Sequence, residues 1–133
     1  MKHVIVVEDD LYNAMLFRKL LEKRGPWRVT VTESADELFE RCRSGDVDLV
    51  IMDVSLTNTR WEGQPVGGVE LSRRLKADPR TAAIPVMLAT AHAMRGDDQK
   101  LLAESCADGY IAKPVVDHVV FVEQVRAHLK EAA

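Results

Sequence analysis

Two cysteines, two tyrosines, two tryptophans and three phenylalanines are all that this 133-residue chain holds of those types. Cys42 and Cys106 lie far apart, each in a helix-like segment, which argues against a disulfide framework or a thiolate metal site and predicts two reduced, packed thiols. Nor is there an excess of positive charge: 18 Lys and Arg stand against 21 Asp and Glu, a net charge of -3. That removes the reason to expect nucleic-acid binding through a basic face. No apolar run is long enough to span a bilayer, and the first strand-like segment opens at His3, leaving no room for a secretory leader. A cytoplasmic protein without membrane insertion is the expectation. Internal repeats, low-complexity tracts and linkers are absent too, as is a glycine-rich loop after the first strand, which disfavours a nucleotide-binding domain.

What is there is a composition 47% hydrophobic and 29% charged, ordinary for a globular domain, in a length that suits one domain over 1–133. Strand and helix alternate five times. Apolar or alternating runs at 3–7, 27–32, 49–52, 85–89 and 109–112 read as strands. Between them, Ala14, Phe17, Leu20 and Leu21 form a helical stripe that stops at Gly25-Pro26. Ser34 followed by Glu37 spells a capping box, opening a helix through Ala35, Leu38 and Phe39 to Ser44-Gly45. Val69, Leu71 and Leu75 mark a third helix closed by Asp78-Pro79, Leu101 and Leu102 a fourth, and Val119, Val122, Val125 and Leu129 a fifth. Strands separated by single helices pair in parallel with right-handed crossovers, so the expected fold is a doubly wound α/β sandwich on a five-stranded parallel sheet.

Leu49-Val50-Ile51-Met52 is unbroken by any polar residue, as a strand buried on both faces requires, so Asp53 emerges at the carboxyl edge where open α/β sheets bind ligands. Other strands end there in Glu8-Asp9-Asp10, in Thr90 and in Lys113-Pro114. Singly these residues are commonplace: Asp10 reads as the N-cap of the first helix, a lone Asp as a turn residue, a lone Lys-Pro as a loop boundary. Together they put acids, a hydroxyl and an amine at one edge. Clustered carboxylates resist ionising beside one another, and a divalent cation removes that penalty. An all-oxygen ligand set with space for water and phosphate favours Mg²⁺, leaving Asp53 able to act as a nucleophile toward phosphorus.

These motifs, Val7-Glu8-Asp9, Met52-Asp53, Ala89-Thr90-Ala91 and Tyr110-Ile111-Ala112-Lys113-Pro114, resemble the receiver domain of two-component response regulators over essentially the whole chain. The resemblance implies a flavodoxin-like (CheY-like) sheet of order 2-1-3-4-5. It makes Asp53 the phosphoacceptor, with Glu8, Asp9, Asp53 and the backbone carbonyl of Ser55 as the Mg²⁺ site. Thr90 corresponds to the switch hydroxyl, Lys113 to the phosphate-binding amine and Tyr110 to the aromatic switch, and the Lys113-Pro114 bond is expected cis. The segment from Thr90 to Asp97 is similar to that of DivK-like stand-alone receivers, a spelling shared with receivers attached to hybrid kinases, and His92 falls where the family borders the phosphoryl group or faces solvent.

One departure stands out. Thr57 replaces a proline usual four residues after the phosphoacceptor, and Gly68 stands fifteen residues after Asp53 where the family has about eight. About seven residues are therefore inserted beside the site. This irregular, polar stretch reads either as a surface loop whose Trp61 folds back onto the domain or as a lid or partner contact. The function implied is a stand-alone response regulator, monomeric or weakly dimeric, charged by a histidine kinase or histidine phosphotransfer protein and read by a downstream protein target. It would modify only itself and would not be an enzyme with an external substrate. A receiver-shaped interaction module acting without phosphate cycling is the alternative. A phosphatase of the haloacid dehalogenase type would need a second Asp where Ser55 stands.

Overall fold

The computed structural model describes residues 1–56, 59–61, 63–90, 97–113 and 115–129. In chain order the elements are β1 (His3–Val7), α1 (Leu11–Arg24), β2 (Arg28–Thr32), α2 (Ala35–Arg43), β3 (Leu49–Asp53), β4 (Arg60–Trp61), β5 (Gln64–Pro65), α3 (Gly68–Ala77), β6 (Val86–Thr90), α4 (Asp97–Ser105), β7 (Gly109–Ala112) and α5 (His118–Leu129). One sheet orders its strands β2-β1-β3-β6-β7, every pair parallel. Leaving out the β4-β5 hairpin, this is the expected order 2-1-3-4-5.

Side-chain alternation along the central strands builds a core on each face. Val4, Val6, Leu49, Ile51, Met87 and Ala89 pack with Phe17 and Leu21 of α1 and Phe121 and Val125 of α5. Their neighbours Ile5, Val7, Val50, Met52, Val86 and Leu88 pack with Leu38 and Phe39 of α2 and Leu71 and Leu75 of α3. Each of these Val, Leu, Ile, Met and Phe side chains contributes roughly 1.5–3 kcal/mol when fully buried. Both faces being covered is why these strands are apolar without a break. The rings of Phe17 and Phe121, 5.5 Å apart, tie α1 to α5.

Some local expectations hold and others need correction. Gly25 ends α1 where the sequence placed the stop, in an extended conformation (φ -120°, ψ 150°). Pro26 biases its predecessor to that region, and a Cβ at Gly25 would run into the Trp27 ring. At the end of α2 a left-handed glycine is used: Gly45 has φ +83°, with Asp46 N–H donating to Arg41 O and Gly45 N–H to Cys42 O, a Schellman motif. The capping box is only half formed. Ser34 Oγ accepts from Glu37 N–H, whereas Ser34 N–H donates to Thr32 Oγ1 and the Glu37 carboxylate pairs with Arg41. Cys42 is buried in α2, its thiol pushed up to about 12 by desolvation, but Cys106 lies just beyond α4 and is exposed. On α5 the buried stripe includes Phe121, while Val119 is 58% exposed.

The inserted stretch is not irregular throughout. β4 and β5 pair antiparallel around Gly63, whose φ is +81°. Both legs are anchored to the body: buried Thr59 donates its hydroxyl to the Glu33 carbonyl at 2.9 Å, Val66 N–H donates to Thr59 O, and Leu56 and Val66 pack on the α2–α3 core. Thr57 lies outside the described residues.

Candidate functional site

At the carboxyl edge, β1 delivers Glu8 and Asp9, and its neighbour β3 delivers Asp53. Glu8 and Asp53 are only 3% exposed, so their carboxylates sit in the edge of the core and not in open solvent. One carboxylate oxygen from each of Glu8, Asp9 and Asp53 lies within 4.8 Å of the others. Lys113, at the end of β7, crosses to them: its Nζ donates to Asp53 Oδ1 at 2.8 Å and to Glu8 Oε1 at 3.4 Å. Asp53 Oδ1 also accepts from Ser55 N–H at 3.2 Å, and Glu8 Oε2 from Asp10 N–H at 3.3 Å. These groups line a cleft of about 380 Å³ completed by Asp10 and Asn13.

Electrostatics follow from that crowding. Burial, then the hydrogen bond and charge of Asp53, push Glu8 up to about 7, with Lys113 pulling only partly the other way. Burial by itself would depress the Lys113 ammonium, but Asp53 and then Glu8 outweigh it and hold the amine above its ordinary value. Three carboxylate oxygens within 4.8 Å of one another, one group destabilised by its neighbours, are what a hard dication relieves, so the residues present fit Mg²⁺.

Of the residues singled out in the sequence, Glu8, Asp9, Asp53, Ser55 and Lys113 come together here. Thr90 and Tyr110 do not line the cleft. Thr90 is buried at the end of β6, one residue beyond Ala89, the register partner of Asp53, and its carbonyl accepts from Lys113 N–H at 2.9 Å. Tyr110 is half-buried on β7 and lines a separate groove of about 480 Å³ with Leu102, Val120 and Phe121. Asp10 is the N-cap of α1, its carboxylate accepting from Asn13 N–H at 3.1 Å. Asn13 was not singled out. The usable signal is positional, since α1 begins at the carboxyl edge and its first turn must border whatever forms there. His92 and Pro114, and with Pro114 the expected cis bond, fall outside the described residues.

Residues 4–126 match the response regulator receiver domain. The chain belongs to that family. The receiver is 34% identical to the polar-differentiation response regulator DivK of Brucella ovis over 98% of each chain. Its fold is similar to the receiver domain of a Pseudomonas aeruginosa PAO1 sensor histidine kinase, determined with a magnesium ion coordinated in the active site cleft. That match has TM-score 0.79, 19% identity and 98% coverage of both chains. The signal receiver domain of a histidine kinase from Syntrophus aciditrophicus also superposes, with TM-score 0.79 and 26% identity over 100% of this chain and 96% of that one. The receiver is thus a domain of two-component signalling. Among its described residues no helix is long and apolar enough to cross a membrane.

Proposed function

We propose that this receiver is a stand-alone, cytoplasmic response regulator, a single domain over 1–133, that accepts a phosphoryl group on Asp53 within a two-component phosphorelay. One observation carries the reading: a buried Asp53 carboxylate held 2.8 Å from the Lys113 ammonium, inside a carboxylate cluster that fits a dication. A match that spans 98% of this chain and 98% of the Brucella DivK relatives supports a regulator of that kind. The phosphodonor is a histidine kinase or histidine phosphotransfer protein, and a downstream protein reads the result.

In the transfer, an Asp53 carboxylate oxygen attacks phosphorus and forms a P–O bond. The P–N bond of the donor phosphohistidine breaks, and the departing imidazole keeps the electron pair and takes a proton from water. Glu8, Asp9, Asp53 and the Ser55 carbonyl would hold Mg²⁺, which when bound neutralises charge on the phosphoryl oxygens, as the Pseudomonas neighbour's magnesium suggests. Lys113 exchanges its contact with Asp53 Oδ1 for a phosphoryl oxygen. The protein's own contribution is positioning and charge stabilisation, so it modifies itself and turns over no external substrate.

The modification then acts as a switch. Lys113 and Thr90 would each gain a hydrogen bond to the phosphoryl group, about 1.5–3 kcal/mol apiece for a charged partner. The sum approaches the roughly 5.5 kcal/mol that moves a two-state equilibrium from 1:99 to 99:1. Thr90 moves toward the phosphate, and Tyr110 turns into the space and remodels the groove it lines. The test is incubation with acetyl phosphate or phosphoramidate plus Mg²⁺. An acid-stable, base-labile adduct is expected on wild type and none on Asp53→Asn. No adduct on wild type would sink the reading in favour of a module that binds partners without phosphate, and sustained phosphoester hydrolysis would make the protein an enzyme.

A further inference from the structure

Four carboxyl groups, those of Glu8, Asp9, Asp10 and Asp53, face the cleft against one ammonium, that of Lys113. With all four ionised, even a bound dication leaves the acids in the majority, so an anionic phosphodonor is repelled on entry. Most of the polar groups there are already engaged. Lys113 holds Asp53 and Glu8, Ser55 N–H holds Asp53, Asp10 N–H holds Glu8, and Asp10 caps α1 through Asn13 N–H. Asn13 is different: its backbone is committed to the cap, while its carboxamide has no hydrogen-bond partner among the described residues. It lines the cleft, is half-buried and bears no charge.

Resting on the phosphoacceptor reading above, we infer that the Asn13 carboxamide is a substrate-binding group, donating from Nδ2 to a phosphoryl oxygen of the incoming donor. Charge is the reason an amide suits this place. An N–H donor attracts an anion, an added carboxylate would repel it, and an added ammonium would ion-pair with the acids that must hold the metal. The N-cap hydrogen bond holds the backbone of the third residue of α1 at the cleft edge, so the carboxamide has only its own side-chain torsions to order when the donor arrives.

The measurement is the second-order rate of adduct formation at saturating Mg²⁺, followed by mass spectrometry, with phosphoramidate and acetyl phosphate as separate probes. Asn13→Ala is expected to slow both by roughly tenfold, the equivalent of one weak hydrogen bond to a charged group. Asn13→Ser, which keeps a neutral donor, is expected to recover much of that rate. Asn13→Asp is expected to be slower than Asn13→Ala, and more so for the more highly charged acetyl phosphate. All three retain the backbone N–H that completes the cap, and a role confined to folding would not produce dependence on donor charge. Asn13→Ala at the wild-type rate, or a slowdown matched by an equal loss of Mg²⁺ affinity in calorimetry, overturns the inference while leaving Asp53 as acceptor. Failure of wild type to form any adduct removes both together.

Discussion

Glu8 shows at a single residue what this site costs the fold. Its pKa rises from 4.5 to about 7 because burial and Asp53 disfavour the carboxylate. The sign follows from linkage. Below 4.5 the group is protonated whether folded or unfolded, and no penalty applies. As pH rises toward 7 the unfolded chain releases its proton first, so the native state binds the extra proton and loses stability. Glu8→Gln is therefore expected to stabilise the metal-free protein at pH 8 by on the order of 1–3 kcal/mol, with the gain fading toward pH 4.5. Urea unfolding at a series of pH values in EDTA checks this, and a variant no more stable than wild type at pH 8 contradicts it. The acid pair was plain in the sequence. The penalty was not, because it depends on Asp53, which chain order puts 45 residues away.

Among the elements, α3 bears most directly on the site. A Cβ at Gly68 would collide with the Asp53 carbonyl oxygen, so the first residue of α3 sits on the backbone of Asp53. At the other side of the helix, Ser72 Oγ donates to Ser105 O at 2.9 Å and Arg73 Nε to Glu104 O at 2.8 Å, supplying partners for the last carbonyls of α4. Gly68→Ala forces the Asp53 backbone or α3 to shift. A loss of about 1–3 kcal/mol in thermal or urea unfolding is expected, together with slower adduct formation than its stability alone explains. Undisturbed stability would mean that α3 does not bear on Asp53. The long helices and strands were legible because their periods repeat several times. The β4-β5 hairpin was not: two residues per strand are too few for alternation to register, and its position rests on the Thr59–Glu33 contact. For α5, Val119 and Phe121 are both apolar, and only packing against Phe17 decides which one is buried.

For the molecule as a whole, ligand linkage turns a strained site into a stability gauge. A dication that binds only the native state raises stability by about 2.7 kcal/mol at a hundred times its dissociation constant. The expected result is a melting temperature that climbs with Mg²⁺, returns on adding EDTA and does not respond in Asp9→Ala; an equal response in that variant would place the ion elsewhere. By itself the sequence determined the order of the five main-sheet strands and five helices, the two-faced core and the set of chemically useful residues at strand ends, because burial on both faces leaves an unbroken apolar run and the next residue must emerge at the edge. Tertiary structure alone decided that Lys113 reaches across 60 residues to Asp53 and 105 to Glu8, that Asn13 borders the cleft, that Thr90 and Tyr110 stand outside it, and that the insertion folds back against the body. The reason is physical: periodicity records which side of an element is buried, whereas closing the sheet is what sets the distances between its ends.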